Sequence, residues 1–546
     1  CEIDYITDDI VKAGKEKGRQ FKALMEDERS QRIREVANVK LSTYFGNIVN
    51  DEDYEWMCNG IDPGLSPGWG GVRDLEWFRK AQQIAQKQRF FHWELEFPEV
   101  FMQGGFNVVV GNPPYVRQES LGEIKTYFSA HYQVYHGTAD LYVYFIEQSH
   151  KLLCSGGFFG MIVSNKWMSA SYGAALRRFI AEKTTIQQIV DFGELPVFND
   201  ASTFPAIIII KNVSTNEQKF IYALIKTLRF KSIKDEVIKI GLQMDSQAVS
   251  GDIWTLTSRD KIIIIEKMKH IGSTLDEYVN AKIFRGVLTG LNEAFVIDQE
   301  TRESLIRKDR KSAEIIKPFL AGRDIKRYMP PKSNKFLILI PKGWTNSNRF
   351  RLDPWEYYKK SYPAVATYLE QFKSKAQTRY DKGDYWWELR ACDYYKEFEK
   401  PKIIYPNICT KPEFNIDYSF SFTNQKCFII PLEDIFLLGI LNSKLSYFLF
   451  KMIFPKLRGG FYEPGYIYIK KFPIQDFIEK ERKLVVIKKV ERMIAFSKQF
   501  AELKALSQKS ILQRQIEATD REIDQLVYEL YGLTDEEIKI VEGKTS

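Results

Sequence analysis

The chain is short of the residues that build most compact metal and nucleophile sites. Six cysteines (Cys1, Cys58, Cys154, Cys392, Cys409 and Cys427) are spread over 546 residues without a Cys-x-x-Cys pair. Five histidines (His92, His131, His136, His150 and His270) stand apart from them and from one another. Zinc fingers and ribbons need ligands at short, repeated intervals, so this spacing excludes them, and no metal is expected. Nor is there a disulfide framework; the thiols are expected to be reduced and the protein cytoplasmic. No apolar run approaches the roughly 20 residues that span a bilayer, and the charged start lacks the apolar stretch of a signal peptide. Internal repeats and low-complexity tracts are also missing. No Asp/Glu-Lys grouping has a setting that marks a nuclease site.

Charge is present but unevenly placed. The net charge is +8, yet residues 282–475 carry 34 basic against 21 acidic side chains, a local +13, while the flanking regions are close to neutral or acidic. Within 282–351 the balance is 16 to 7. A basic region of this size is the footprint expected of a face that meets a polyanion. Aromatic residues make up 14% of the chain.

The texture divides the chain into four parts. Residues 1–90 read as helices and loop, with a Gly/Pro-rich loop at 58–71 and a helix near 75–89. Residues 91–250 alternate strands and helices: a Val-rich run at 106–111, a helix at 140–153 stopped by Gly156-Gly157, a strand at 158–163, a helix at 170–183, and strands at 186–192 and 206–211. The Val-rich run bounded by glycine predicts a fully buried strand of a parallel sheet, and the alternation predicts a doubly wound α/β domain. Residues 251–475 have short β-like runs separated by Pro and Gly, an α+β texture that coincides with the basic excess. Residues 476–546 are helical.

The most informative residues are Asn112-Pro113-Pro114-Tyr115, directly after the Val-rich strand. The carboxyl ends of parallel strands face the crevice where α/β proteins bind ligands. Two prolines stiffen this turn and donate no hydrogen bonds, leaving the Asn112 carboxamide and the Pro113 carbonyl as acceptors. Two acceptors beside an aromatic ring suit a planar conjugated amine. Accepting both of its hydrogens draws the lone pair out of conjugation and makes the nitrogen a nucleophile, which a methylsulfonium could methylate. A bare rigid turn ending a strand is the plain alternative.

The segment 106–115 resembles motif IV of the adenine-specific amino DNA methyltransferases. Residues 140–153 with Gly156-Gly157, then 161–168 and 174–180, resemble motifs V to VII, and 195–211 resembles motif VIII. Residues 283–298, 316–328, 402–417 and 437–473 resemble the TaqI-like target-recognition domain of type IIG restriction–modification enzymes. The resemblance implies a partial doubly wound methyltransferase sheet, an α+β recognition domain and a helical C-terminal segment. It implies double-stranded DNA as partner, no membrane, and S-adenosylmethionine as cofactor. Asn112 and Pro113 would then accept from the target amine, with Pro114 stiffening the turn. Tyr115 would stack on a flipped adenine, and Phe198, or less favourably Phe204, would pack on its other side; a core aromatic is the alternative for Phe198. Two departures stand out. Asn107 lies where the family usually has Asp, and no Gly-x-Gly turn follows a strand in residues 1–105, so the cofactor loop is expected upstream of Cys1 and this chain is expected to be inactive alone.

Lys282, Arg285, Arg323, Lys326, Arg327, Lys332, Lys342 and Arg458 are the candidate DNA contacts, any of which could instead be a solvated surface charge. Arg458-Gly459-Gly460-Phe461-Tyr462 could follow a phosphate backbone or simply turn the chain. Tyr385-Trp386-Trp387 and Tyr394-Tyr395 are expected to pack internally. Two rival readings remain: a non-catalytic DNA-binding specificity module, and a methyltransferase of a protein glutamine amide.

Overall fold

The computed structural model describes residues 11–64, 68–122, 124–198, 204–215, 219–249, 254, 256–503 and 505–544. Cys1 and residues 199–203 of the motif VIII-like segment lie outside them. The chain forms two compact units, Cys1–Leu256 and Thr257–Ser546.

The first unit begins with helices. Val36 and Val39 of α1 (Glu28–Ser42) pack with Phe78 and Ala81 of α2 (Glu76–Gln88) around Met57 and Trp69. The Gly/Pro-rich segment is not loop throughout, because a helical turn runs over Trp69–Arg73. Trp69 is 1% exposed and its indole N–H donates to Glu35 Oε2 at 2.7 Å, so burial of one aromatic overrides the low helix propensity of Gly70 and Gly71.

A six-stranded sheet follows, built from β1 (Phe106–Gly111), β2 (Leu153–Ser164), β3 (Thr185–Asp191), β4 (Pro205–Lys211), β5 (Lys219–Leu224) and β6 (Leu242–Asp245) in the order β1-β2-β4-β3-β5-β6. The expected strand–helix alternation is present: α3 (Tyr142–Leu152) links β1 to its parallel neighbour β2, and α4 (Ala174–Lys183) leads into β3. The sheet is mixed, since β4 inserts antiparallel between β2 and β3. Ile208 and Ile210 are buried there and Ile207 and Ile209 partly so, and an isoleucine run has the same appearance in either direction. The expected full burial of β1 is corrected. It is the outermost strand, with Val108 57% and Val110 76% exposed. At Gly157 an added Cβ would lie 2.9 Å from the Phe106 carbonyl oxygen, so glycine is what lets β2 close on β1 where the register shifts.

The second unit has two four-stranded sheets. One orders β13 (Phe422–Thr423), β9 (Ile316–Leu320), β10 (Lys335–Ile338) and β8 (Val296–Asp298); the other orders β12 (Asn415–Asp417), β11 (Lys402–Pro406), β14 (Cys427–Ile430) and β7 (Phe284–Arg285). The second sheet is covered on both faces. Ile403, Tyr405, Phe428 and Ile430 enter one core while Ile404, Cys427 and Ile429 enter another, which is why these strands read as unbroken apolar runs. α5 (Ile435–Asn442) and α6 (Lys444–Ile453) are bent by 61° at their junction and buried in the first of those cores with the long helices α7 (Lys480–Glu502) and α8 (Leu506–Leu530). Among the described residues no single helix is long and apolar enough to cross a membrane.

Candidate active site and nucleic-acid interface

The sheet register gathers one edge of the first unit. Gly111 ends β1 opposite Met161 of β2, Ser164 ends β2 opposite Pro205, and Asp191 ends β3 opposite Ala206. The turn after β1, the turn after β2, the loop after β3 and the residue before β4 therefore open on the same side.

Asn112-Pro113-Pro114-Tyr115 occupies the first of these positions. Pro113 is buried, Tyr115 is half-buried and Asn112 is exposed. Among the described residues the Asn112 carboxamide has no hydrogen-bond partner. The turn itself is held: the Val116 N–H donates to the Pro114 carbonyl and the Leu141 N–H to the Val116 carbonyl, both at 3.0 Å. The Tyr115 hydroxyl reaches the Ile162 carbonyl at 3.4 Å, and burial raises its pKa, so it stays a neutral phenol. Phe198 faces it with ring centroids 5.9 Å apart at an interplanar angle of 59°. Phe204 is placed differently, its carbonyl accepting from the Asn165 N–H at 2.7 Å and its ring lying 5.7 Å from Lys166 Nζ. Of the two sequence candidates, Phe198 is thus the one brought to Tyr115.

Sequence reasoning missed the polar neighbours of this edge. Asn165 and Lys166 follow β2, and the Asn165 amide donates to Asp191 Oδ1 at 2.9 Å. Asp140 accepts from the Gln118 N–H at 3.3 Å; burial raises its pKa, opposed by that bond and by Lys166. The position of Asn165 and Lys166 at a strand's carboxyl end was the available signal.

The basic candidates of the second unit fall into different environments. Arg323 is 84% exposed and lines a cleft of about 560 Å³ with Lys332 and Lys335. Arg323 also lines a second cleft with Lys326, whose ammonium pairs with Glu413 at 3.1 Å. Arg285 is exposed, with its Nε donating to the Gln425 carbonyl at 2.8 Å. Lys342 lies 3.7 Å from Asp384, and Lys282 is exposed. Arg458 is exposed in the turn of a hairpin that pairs Lys456–Leu457 with Phe461–Tyr462. Arg327 is committed inside the unit, grasping Asp520 through both terminal nitrogens at 2.6 and 2.8 Å and the Asn442 carbonyl at 2.6 Å. Trp386 and Trp387 are 8% and 3% exposed, so that aromatic run packs internally as expected. Among the described residues no group of His, Cys, Asp and Glu could hold a metal.

Comparison with known proteins adds two family matches. The Eco57I restriction-modification methylase family matches residues 24–198, and the TaqI-like C-terminal specificity domain matches 317–474. The chain is 24% identical over 467 residues to the type II methyltransferase M.PaeR7I of Pseudomonas aeruginosa, covering 81% of this chain and 73% of that one. It is 26% identical over 412 residues to M.BstVI of Geobacillus stearothermophilus, covering 71% and 70%. A solved relative is the type IIL restriction-modification enzyme MmeI in complex with DNA, 11% identical with a TM-score of 0.49 over 80% of this chain and 56% of that one. The chain thus spans little more than half the length of that structure. The methylase match runs through the Asn112 turn to Phe198, and the specificity match takes in most of the two sheets of the second unit. Residues 24–198 are therefore similar to the Eco57I restriction-modification methylase family, and residues 317–474 to the TaqI-like C-terminal specificity domain.

Proposed function

We propose that the protein methylates the exocyclic amine of adenine at a defined DNA sequence within a restriction–modification system. The observation that carries this reading is the unpartnered Asn112 carboxamide, set on a proline-stiffened turn at the carboxyl end of β1 with Tyr115 and Phe198 beside it. The Asn112 carboxamide oxygen and the Pro113 carbonyl accept the two amine hydrogens and orient the nitrogen lone pair outward. Tyr115 stacks on the base, and Phe198 closes its other face. A base paired in duplex DNA cannot enter such a site, so it leaves the stack at a cost of a few kcal/mol that ring stacking helps to offset. Exposed cations of the second unit, Arg323 and Lys332 foremost, hold phosphates and set the register on the duplex.

S-adenosylmethionine, when bound, supplies the electrophilic methyl group. The described residues fit the amine side of this chemistry and not the main cofactor cradle: among them no strand passes through a Gly-x-Gly turn into a helix, and no strand pairs with the outer edge of β1.

The test is methylome mapping of a host that carries the gene. A defined N6-methyladenine motif, lost on Asn112→Ala, is the expected result. Duplex binding with no methylated motif would favour the non-catalytic specificity module, and methyl transfer to a peptide glutamine would overturn the DNA reading.

A further inference from the structure

The turn Asn424-Gln425-Lys426 joins β13 to β14, and four clefts of about 320 to 560 Å³ in the second unit share it as a wall. Its backbone is held at every residue. The Asn424 N–H donates to the Leu320 carbonyl at 3.1 Å, and the Lys426 carbonyl accepts from the Asn407 N–H at 2.8 Å. Arg285 Nε donates to the Gln425 carbonyl at 2.8 Å. Inside the turn the Lys426 N–H donates to Asn424 Oδ1 at 3.1 Å and the Cys427 N–H to the Asn424 carbonyl at 3.0 Å. The neighbouring chain is pressed against it, for a Cβ added at Gly286 would lie 1.9 Å from the Asn424 carbonyl oxygen.

The side chains contrast with this. Gln425 and Lys426 are exposed, and among the described residues neither side chain has a hydrogen-bond or ion-pair partner. Arg285, Arg390, Arg323 and Lys335 line the same clefts. Cations on either side attract phosphates without reading sequence, whereas a glutamine carboxamide matches the N6 and N7 edge of adenine and a lysine ammonium matches O6 and N7 of guanine in the major groove. Because the backbone is already held, only the two side chains remain to be ordered on contact.

We propose that this turn is a base-reading element of the specificity domain, with Gln425 contacting one base edge and Lys426 its neighbour. The inference rests on the DNA reading given above. Its test is selection of bound sequences from a randomised duplex library by the full chain and by Gln425→Ala, Gln425→Glu and Lys426→Ala. The wild type enriches one motif. Gln425→Ala loses preference at one base pair of that motif, by about 5- to 140-fold, the equivalent of about 1–3 kcal/mol per bidentate contact. Gln425→Glu shifts that position towards cytosine, whose N4 donates to a carboxylate; a purely structural role would not move the preference to a new base. Unchanged low-salt binding to non-specific duplex shows that the variants are folded. Enrichment of the wild-type motif by all three variants overturns the proposal. A wild-type chain that enriches no motif removes the DNA reading itself, and the proposal with it.

Discussion

Asp524 on α8 offers a stability test whose size follows from its surroundings. The carboxylate is buried, with its Oδ1 accepting from the Lys444 N–H at 2.8 Å and its Oδ2 3.5 Å from Lys444 Nζ. Burial pushes its pKa up from 3.8 to about 6; the Lys444 N–H opposes that shift, and the nearby Asp520 charge adds to it. The folded state therefore binds the proton more tightly than the unfolded chain does. Stability falls as pH rises from about 4 to about 6, and above that window the full cost of about 3 kcal/mol is present. Asp524→Asn keeps the acceptor for the Lys444 N–H and removes the buried charge. The pull of the half-exposed Lys444 ammonium is already contained in that net shift, and Lys444 retains Glu542 at 3.1 Å. The variant is expected to be about 3 kcal/mol more stable than the wild type at pH 7 and no more stable below about pH 4. Urea unfolding followed by circular dichroism at the two pH values measures both differences. An Asn variant less stable than the wild type by the same amount at both pH values would refute the reasoning, because the carboxylate would then be stabilising in its charged form.

Three further outcomes follow from the sites. Tyr115→Phe removes only a 3.4 Å hydroxyl contact and should retain base capture, whereas Tyr115→Ala should weaken it by about 1–3 kcal/mol, read from the fluorescence of a 2-aminopurine placed at the target position. Lys332→Ala should lower the slope of log affinity against log salt by about 0.9. Arg327→Ala should leave that slope unchanged and cost about 1.5–3 kcal/mol in urea unfolding, since it strands the Asp520 carboxylate and the Asn442 carbonyl.

Much of the first unit was legible because its signals are local. A Val-rich run bounded by glycine and a turn with two prolines each reflect short-range backbone preference and lie where those patterns put them, whereas the helix before β2 ends at Leu152 and Gly156-Gly157 stand inside β2 instead of stopping it. Arg327 shows the opposite case. In sequence it is one cation of a basic cluster, and only the fold brings α8 and Asp520 to it. The Asn424-Gln425-Lys426 turn gave no signal at all, since three polar residues between two apolar strands are an ordinary turn until neighbouring loops fix them.

The sequence by itself determined the strand-and-turn character of the Asn112 motif, the α/β alternation around it and the segregation of positive charge into the later half. These depend on the residues' own chemistry and on periodicity over a few positions. Tertiary structure alone decided that β4 runs antiparallel. It also decided that Phe198 rather than Phe204 meets Tyr115, and which cations remain open to a ligand. Each of those outcomes is a choice of partner between distant segments. A side chain's type limits its possible partners, and the burial and register of the whole sheet select among them.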